Sequence, residues 1–466
     1  MGDEVAGLLA RLALVPDDVA ALTALARAYG RGEQGRALRA VLAAAVRTPE
    51  MALEVGRIAA GRTWPWEGAL GQAPLRTALS PPPLTAPRTR WRYTSPHPDD
   101  RFGMHVALLP ERLCLVAQSV VVGMRYVRLL ALDTRTGRLA WEREEQNLFG
   151  PCAPFVLETA GGAAVAWAYA QSDAAGCGLH VEVICPATGA LEARHFLPLP
   201  NGQVARPGAH LAIGQGVGMW PVHWTDSQAR RAALFAVDLE TGALRQAAAI
   251  ALDTDGVVAV AGHWVTRSDS GLHLVAEGAG AASDPGTLLL AFASRQGAHV
   301  EGGRPDSTLF ARGRRLYFYL PEYRSSGPGR VILRQHAATL DLDRPGAPPQ
   351  ILGEPSWRTR FLAVSSAGEL IGWSEREGGV LWCQDDAAVR VLRAPIPCPA
   401  SAAAMARTLV IRSGVGQGSE TLDAIDLDAG HSLWCVATGP AWHQGPIPTA
   451  EGVAGISAQG VSWLGA

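Results

Sequence analysis

The stretch "LLALDTRTGRLAWERE", from Leu129 to Glu144, sets apolar, β-rich runs on either side of a polar turn that opens on Asp133 and closes on Gly137. Asp and Gly favour tight chain reversal, so the stretch reads as a β-hairpin. The chain repeats it. "LFAVDLETGALRQ" (Leu234–Gln246) is a close copy, and "LDAIDLDAGHSLWCV" (Leu422–Val436) keeps Asp426, Gly430 and Trp434. "VEVICPATGALEA" (Val181–Ala193) has lost the Asp. "LLLAFASRQGAHVEG" (Leu288–Gly302) and "ATLDLDRPGAPPQIL" (Ala338–Leu352) are worn versions, and "GGVLWCQDDAAVRVL" (Gly378–Leu392) lacks the glycine.

The turn glycines Gly137, Gly189, Gly242, Gly297, Gly346 and Gly430 are spaced by 52, 53, 55 and 49 residues and then by 84, two steps of 42. Each period leaves room for two more strands before the hairpin, which is the plan of a β-propeller blade. Residues 88–466 hold about 7.8 such units. Seven hairpins are visible. The eighth unit is expected to be split between the ends: "PRTRWRYTS" (Pro87–Ser95) reads as a lone outer strand with Trp91 placed like Trp141, and "GPIPTAEGVAGISAQGVSWLGA" offers three strands and no fourth. A blade built from both ends closes the ring and removes exposed edges. The expected fold is mainly β, an eight-bladed propeller with seven blades as the alternative, behind a small N-terminal α-helical domain.

That domain is read over 1–62. Val5, Leu8, Leu9 and Leu12 fall on one helical face, as do Leu22, Leu25, Ala26 and Tyr29, and then Leu38, Val41, Leu42 and Ala45. Asp17–Pro49 resembles a tetratricopeptide repeat through Leu25, Ala26, Tyr29, Ala37, Val41, Ala44 and the closing Pro49, with a turn one residue short. A generic helical hairpin is the other reading. Residues 63–87 form a linker holding Pro74, Pro81, Pro82, Pro83 and Pro87, whose composition argues for extended polyproline rather than helix or central strand.

Composition bounds the function. With 466 residues, 48% hydrophobic and 18% charged, the chain reads as globular, and a net charge of −2 gives no reason to expect nucleic acid or an anionic membrane as partner. No run approaches the roughly 20 apolar residues of a membrane span. "MGDEVAGLLARLALVPDD" has no basic region before its apolar residues, so a cytoplasmic location is expected. All 41 basic residues are Arg, which excludes a Schiff-base lysine and a Walker A lysine. The cysteines (Cys114, Cys152, Cys177, Cys185, Cys383, Cys398 and Cys435) are odd in number, scattered and without CxxC. They read as buried free thiols rather than a disulfide framework or zinc site.

The "ALDxxTGxxxW" pattern of Ala131–Trp141 resembles the repeat of quinoprotein-like propellers, named for pyrroloquinoline-quinone dehydrogenases. The resemblance spans 88–466 and is strong in three or four repeats. It implies the fold more than the chemistry. The family's enzymes use a quinone with calcium, held by an adjacent Cys-Cys pair, Glu, Asn and Asp ligands and a catalytic Asp. Here no cysteines are adjacent, and the only asparagines, Asn147 and Asn201, have no acidic constellation around them. No cofactor, metal or catalytic residue is therefore assigned. The family also includes outer-membrane lipoproteins, but no lipobox is present.

"SPHPDD" (Ser95–Asp100) resembles the HPDD zinc motif of deacetylases through His97, Asp99 and Asp100. It lacks the preceding buried strand and a downstream His cluster, so a Pro/Asp turn is the better reading. His223-Trp224, His263-Trp264 and Trp442-His443 read as strand pairs with one side chain in and one out. No GxSxG is present.

What remains is surface. The connections taken to join the middle strands of the blades are long and dissimilar, at 171–177, 225–231, 277–286, 321–330, 376–379 and 414–420. Variable loops on one rim of a rigid scaffold are the usual binding surface. Arg230, Arg231, Tyr323, Arg324 and Arg376 are the side chains best suited to partner contacts there. The expected function is a non-catalytic interaction scaffold that binds other proteins through this rim and the N-terminal helices. The alternative is an enzyme or small-ligand binder using the central channel. By resemblance, such propellers occur in bacterial assemblies with MoxR-type ATPases and von Willebrand A-domain proteins.

Overall fold

The computed structural model describes Ala21, Arg76–Ala78 and, apart from short internal stretches, residues 86–465. The helical readings over 1–62 lie outside the described residues. From residue 76 onward the described regular elements are β-strands, arranged in eight sheets.

Each sheet is one blade of an eight-bladed propeller. Blade 1 runs from Arg101–Leu108 to Leu139–Gln146, blade 2 from Leu148–Phe149 to Leu191–Pro198, and blade 3 from Val204–Pro207 to Leu244–Ala249. Blade 4 runs from Gly256–Val260 to Thr287–Ala291, and blade 6 from Thr359–Val364 to Val389–Arg393. Blade 5 is built on Leu309–Arg312, Arg315–Gly327 and Arg330–Asp341. Its outer edge is shared by Gln350–Ile351 and the parallel strand His299–Glu301. Blade 7 runs from Ser401–Met405 to Ser432–Ala437. Blade 8 takes Trp442–Thr449, Gly452–Ser457 and Gly460–Gly465 from the C-terminal end and Arg88–Thr94 as its outermost strand.

Burial follows position in the blade. The inner strand Gly256–Val260 is buried throughout, while the outer strand Leu191–Pro198 alternates between exposed and half-buried residues. Middle strands have a neighbouring blade on both faces, so runs such as Ala232–Val237 need no polar alternation. Each junction between consecutive blades has its own buried cluster. Trp167 and Tyr169 of blade 2 pack on Trp141 of blade 1, and Trp220 and Phe235 of blade 3 on Leu179 of blade 2. Similar clusters join blades 3–4, 4–5, 5–6, 6–7 and 7–8. Ile447, Ile456 and Trp463 of blade 8 meet Leu113, Leu115 and Leu130 of blade 1, which completes the ring. Eight junctions, with the last blade touching the first, give eight blades rather than seven.

The repeated turn explains how one blade locks to the next. Asp133 Oδ1 accepts from the Thr136 amide and hydroxyl, both at 2.8 Å, and Asp238 does the same for Thr241. Asp426 Oδ1 accepts from the Asp428 and Ala429 amides at 2.8 Å. Gly137 has φ +69°, and a Cβ there would stand 2.4 Å from the ring of Trp91. Gly189, at φ +75°, has Trp141 over it in the same way. The indoles donate onward, Trp91 Nε1 to the Thr134 carbonyl at 2.8 Å and Trp141 Nε1 to that of Pro186 at 2.9 Å. Gly and Trp in the pattern are thus partners across a junction: the Trp of one blade caps the turn of the next. In blade 2, Cys185 stands where the Asp would be, and hydrogen bonds from Thr188 draw its thiol below the ordinary value.

The turn aspartates sit below the ordinary Asp value of 3.8. At Asp133 and Asp238 partial burial raises the value, and hydrogen bonds from Thr136 and Thr241 outweigh it. At Asp426 the Ala429 amide is the largest cause. A carboxyl lowered by folding contributes stability that is present above its unfolded value and lost as pH falls through the folded one. The combined Asp133→Asn, Asp238→Asn, Asp426→Asn variant is therefore expected to show a flatter decline in urea midpoint below about pH 4 than the parent. Parallel slopes in the two titrations would refute this.

Three expectations change. The hairpin read at Leu288–Gly302 does not form: Thr287–Ala291 is the outer strand of blade 4, and His299–Glu301 pairs with blade 5. In the sequence, Ala293 stands where the Asp of the repeated turn belongs, and alanine has no carboxylate to accept from turn amides. The connection 277–286 consequently joins the third and outer strands of blade 4, on the rim opposite to the one expected. Within the Pro-rich linker, Arg76–Ala78 is a short strand paired in parallel with Ser401–Met405. The described cysteines divide: Cys114, Cys177 and Cys383 are buried, whereas Cys185 is half-exposed and Cys435 exposed, and Cys152 and Cys398 lie outside the described residues.

Candidate functional site

The rim that carries the connections between second and third strands is uneven. The second strand has 10, 12, 9 and 13 residues in blades 1, 2, 3 and 5. In blades 4, 6, 7 and 8 it has 6, 5, 6 and 6. Every one of these strands starts close to the opposite rim, so the extra length rises on this one. At about 3.3 Å per residue the hairpin of blade 5 overtops that of blade 4 by roughly 20 Å. Blade 4 is a low step between two raised neighbours.

The residues singled out from sequence fall on this relief. Arg230 and Arg231 open the third strand of blade 3, paired with Thr225 and Trp224, and both are exposed. Trp224 below them packs edge-on against Phe235 at 6.0 Å. On blade 5, the stretch read as a loop is ladder: Tyr323 pairs with Leu333 and Arg324 with Ile332, close to the tip. Tyr323 is half-buried. The two pairs stand on blades 3 and 5 with blade 4 between them. Arg376 lies outside the described residues.

The top of blade 4 holds a polar group that sequence reading passed over. Arg267 is 2% exposed, donates to Asp255 at 2.9 and 3.1 Å, and lies 5.6 Å over the Phe292 ring. Burial pushes the Asp255 carboxyl up, against the pull of Arg267. The Asp269 amide donates to Asp253 at 2.9 Å. Ser268 and Ser270 share a 2.7 Å hydrogen bond, and His273 Nε2 lies 3.4 and 3.3 Å from their hydroxyls. Burial lowers the pKa of His273, which favours the neutral ring. A neutral imidazole beside the exposed Ser270 has the composition of a nucleophile and a base. Among the described residues His273 Nδ1 has no hydrogen-bond partner, so none of them completes a triad by orienting the ring. The segments "ALDTDG" and "TRSDSG" carried the signal, in acids and serines packed around two turns.

The other buried charges among the described residues are paired. Glu182, fully buried on blade 2, accepts from Arg194 Nε at 2.8 Å, Tyr169 at 3.1 Å and Arg143 of blade 1 at 3.3 Å. Glu420 of blade 7 accepts from the Trp442 amide of blade 8 at 3.0 Å. In the HPDD stretch, the Asp100 amide donates to the His97 carbonyl at 3.2 Å, and the buried carboxylate accepts from Ser95 and Arg128. Asp99 lies outside the described residues, as do Asn147 and Asn201. Among the described residues, no group of three His, Cys, Asp or Glu side chains could hold a metal ion, and no helix is long and apolar enough to cross a membrane. Of the His-Trp neighbours, His263 is exposed and Trp264 buried, while His223 Nε2 lies 3.1 Å from the Thr254 carbonyl, tying blade 3 to blade 4.

No family model and no curated protein matches the chain. Solved structures do. The chain is similar to a quinohemoprotein alcohol dehydrogenase from Comamonas testosteroni, at 12% identity and TM-score 0.36, covering 92% of this chain and 84% of that one. It is also similar to the quinohemoprotein alcohol dehydrogenase ADHIIG from Pseudomonas putida HK5, at 12% identity and TM-score 0.38, over 88% and 81%. The β-propeller domain of the trilobed protease from Pyrococcus furiosus matches at 10% identity and TM-score 0.38, over 80% and 95%. The chain is an eight-bladed β-propeller, and quinoprotein propellers are among the structures it is similar to.

Proposed function

We propose that this protein is a non-catalytic interaction scaffold, docking other proteins on the rim between the second and third strands of its blades, within a bacterial assembly that includes an ATPase. The observation that carries the reading is the uneven rim. Raised hairpins of blades 3 and 5 flank the low blade 4 and carry Arg230, Arg231 and Tyr323, residue types that dominate binding energy at protein interfaces. Rigid hairpins that project from a closed ring offer contacts at low entropic cost.

The test is affinity purification of the tagged full-length chain from its own host, beside Arg230→Glu/Arg231→Glu and, as a control on the opposite rim, the exposed Arg138→Glu. A partner recovered in stoichiometric amount, weakened at least tenfold by the double change and untouched by the control, is the expected result. A monomer that carries a small molecule or metal and no protein would overturn the reading.

A further inference from the structure

Among the described residues, seven of the eight blades end, on the axis side, at their own inner strand. Blade 7 does not: Arg76–Ala78 is added to it as a fifth strand, parallel to Ser401–Met405, with Arg76 opposite Ala403, Thr77 opposite Ala404 and Ala78 opposite Met405. The same three residues lie against the inner strands of blades 6 and 8, Thr359–Val364 and Trp442–Thr449. The segment is therefore inside the ring, on its axis side.

The local sequence explains why blade 7 accepts it. Its inner strand reads SAAAM, where blade 4 has GVVAV, blade 5 LFAR and blade 6 TRFLAV. Ala402, Ala403 and Ala404 are fully buried. Three consecutive small side chains keep both faces of the strand clear, so another backbone can pair along its edge. An edge strand left open is a ready template for an added strand, and strand addition is a recurrent mode of peptide recognition.

We propose that the inner edge of blade 7 is a strand-receiving site, a peptide-binding edge on the axis side of the ring, whose occupant is the chain's own segment Arg76–Ala78. The polarity fixes the sense of the added strand. Ser401 pairs with Arg412, next to the loop that follows Ser413, so the strand begins at the docking rim and ends at the opposite one. A parallel partner runs the same way. Arg76 therefore lies toward the docking rim and Ala78 toward the far rim. Arg88 lies there too, opposite Gly465, at the outer edge of blade 8. Crossing from the inner strand of one blade to the outer strand of the next spans roughly 15–20 Å at strand spacing of about 4.8 Å. Nine residues are enough to cover that distance, since an extended chain of that length reaches up to about 30 Å. This inference does not rest on the scaffold reading, since its test uses the isolated chain.

Hydrogen exchange of the purified full-length protein tests it. Amides in the peptide 74–80, which spans Arg76–Ala78, are expected to exchange at least about tenfold more slowly than the same peptide in the unfolded chain. Thr77→Pro removes a donor from the added strand. It should bring 74–80 to the unprotected rate and raise exchange across Ser401–Met405, while Thr77→Ala should not. Unprotected exchange of 74–80 in the parent, or no response of Ser401–Met405 to Thr77→Pro, would overturn the proposal. The pair Thr77→Cys/Ala404→Cys, oxidised in dilute solution, should cross-link within one chain. A cross-linked dimer would show that the occupant comes from a second copy and defeat the assignment in cis.

Discussion

Asp100→Asn is expected to lower unfolding free energy by about 3–5 kcal/mol, the usual cost of removing one partner from a buried ion pair. Asp100 is 1% exposed and Arg128 4%. The carboxylate accepts from both Arg128 and Ser95, so it joins the chain just after the closing strand Arg88–Thr94 to the third strand of blade 1. Asn keeps the shape and removes the charge, which leaves a buried guanidinium. The remaining acid near Arg128 is Glu142, at 3.8 Å and 46% exposed. Its own change to Gln should cost under about 1 kcal/mol, since exposed pairs are screened by water. Asp100→Asn combined with Arg128→Met should recover part of the loss, because an apolar pair of similar volume removes the stranded charge. Urea midpoints of the four proteins decide the matter. A loss below about 1 kcal/mol for Asp100→Asn would mean that water reaches Arg128. If the carboxylate instead served a metal, chelator added to the parent would reproduce the loss.

Much of this architecture was legible because the Asp–Gly turn is a local device. Its hydrogen bonds lie within six residues, from Asp133 to Arg138, and so does its glycine requirement, which leaves a readable trace in each blade that keeps it. Six of the seven hairpins stand where the pattern put them. The failure, at 288–302, comes where Ala293 replaces the Asp and a tighter turn ending in Gly271, at φ +148°, takes over upstream. The heights of the rim were not legible. Residues 321–330 carry Pro, Ser, Gly and Arg, a composition that reads as loop, yet Tyr323, Arg324 and Ser325 continue the ladder. Two strands of one hairpin satisfy each other's backbone groups whatever their side chains, so polarity does not mark where they stop. The polar group on blade 4 was hidden for another reason: Asp255, Arg267, Ser270 and His273 come from different strands and turns, and only the fold brings them together. Arg76–Ala78 is three residues long, too short for any periodicity, and its partner lies more than 300 residues away in sequence.

Trp91→Ala should be as damaging as the loss of Asp100, at about 3–5 kcal/mol, the range for truncating a packed aromatic to Ala. Blade 8 differs from the rest in drawing its outer strand from the far end of the chain, so pairing between Arg88–Thr94 and Gly460–Gly465 holds the ring shut without a covalent turn. Trp91 fastens that strand on two sides. Its ring lies 5.3 Å from that of Trp463 within the blade, covers Gly137 of blade 1, and donates to the Thr134 carbonyl. Trp91→Phe keeps most of the apolar contact and loses the donor, which leaves the Thr134 carbonyl without it. A cost of about 1–2 kcal/mol is expected, the scale of one hydrogen bond. No covalent turn backs up this closure, so the Ala variant should also become sensitive to protease between residues 86 and 101, where the closing strand peels away first. Limited proteolysis alongside urea unfolding reads both effects. A stable, protease-resistant Trp91→Ala protein would mean that blade 8 is held by its three C-terminal strands alone, and that Arg88–Thr94 decorates the ring instead of closing it.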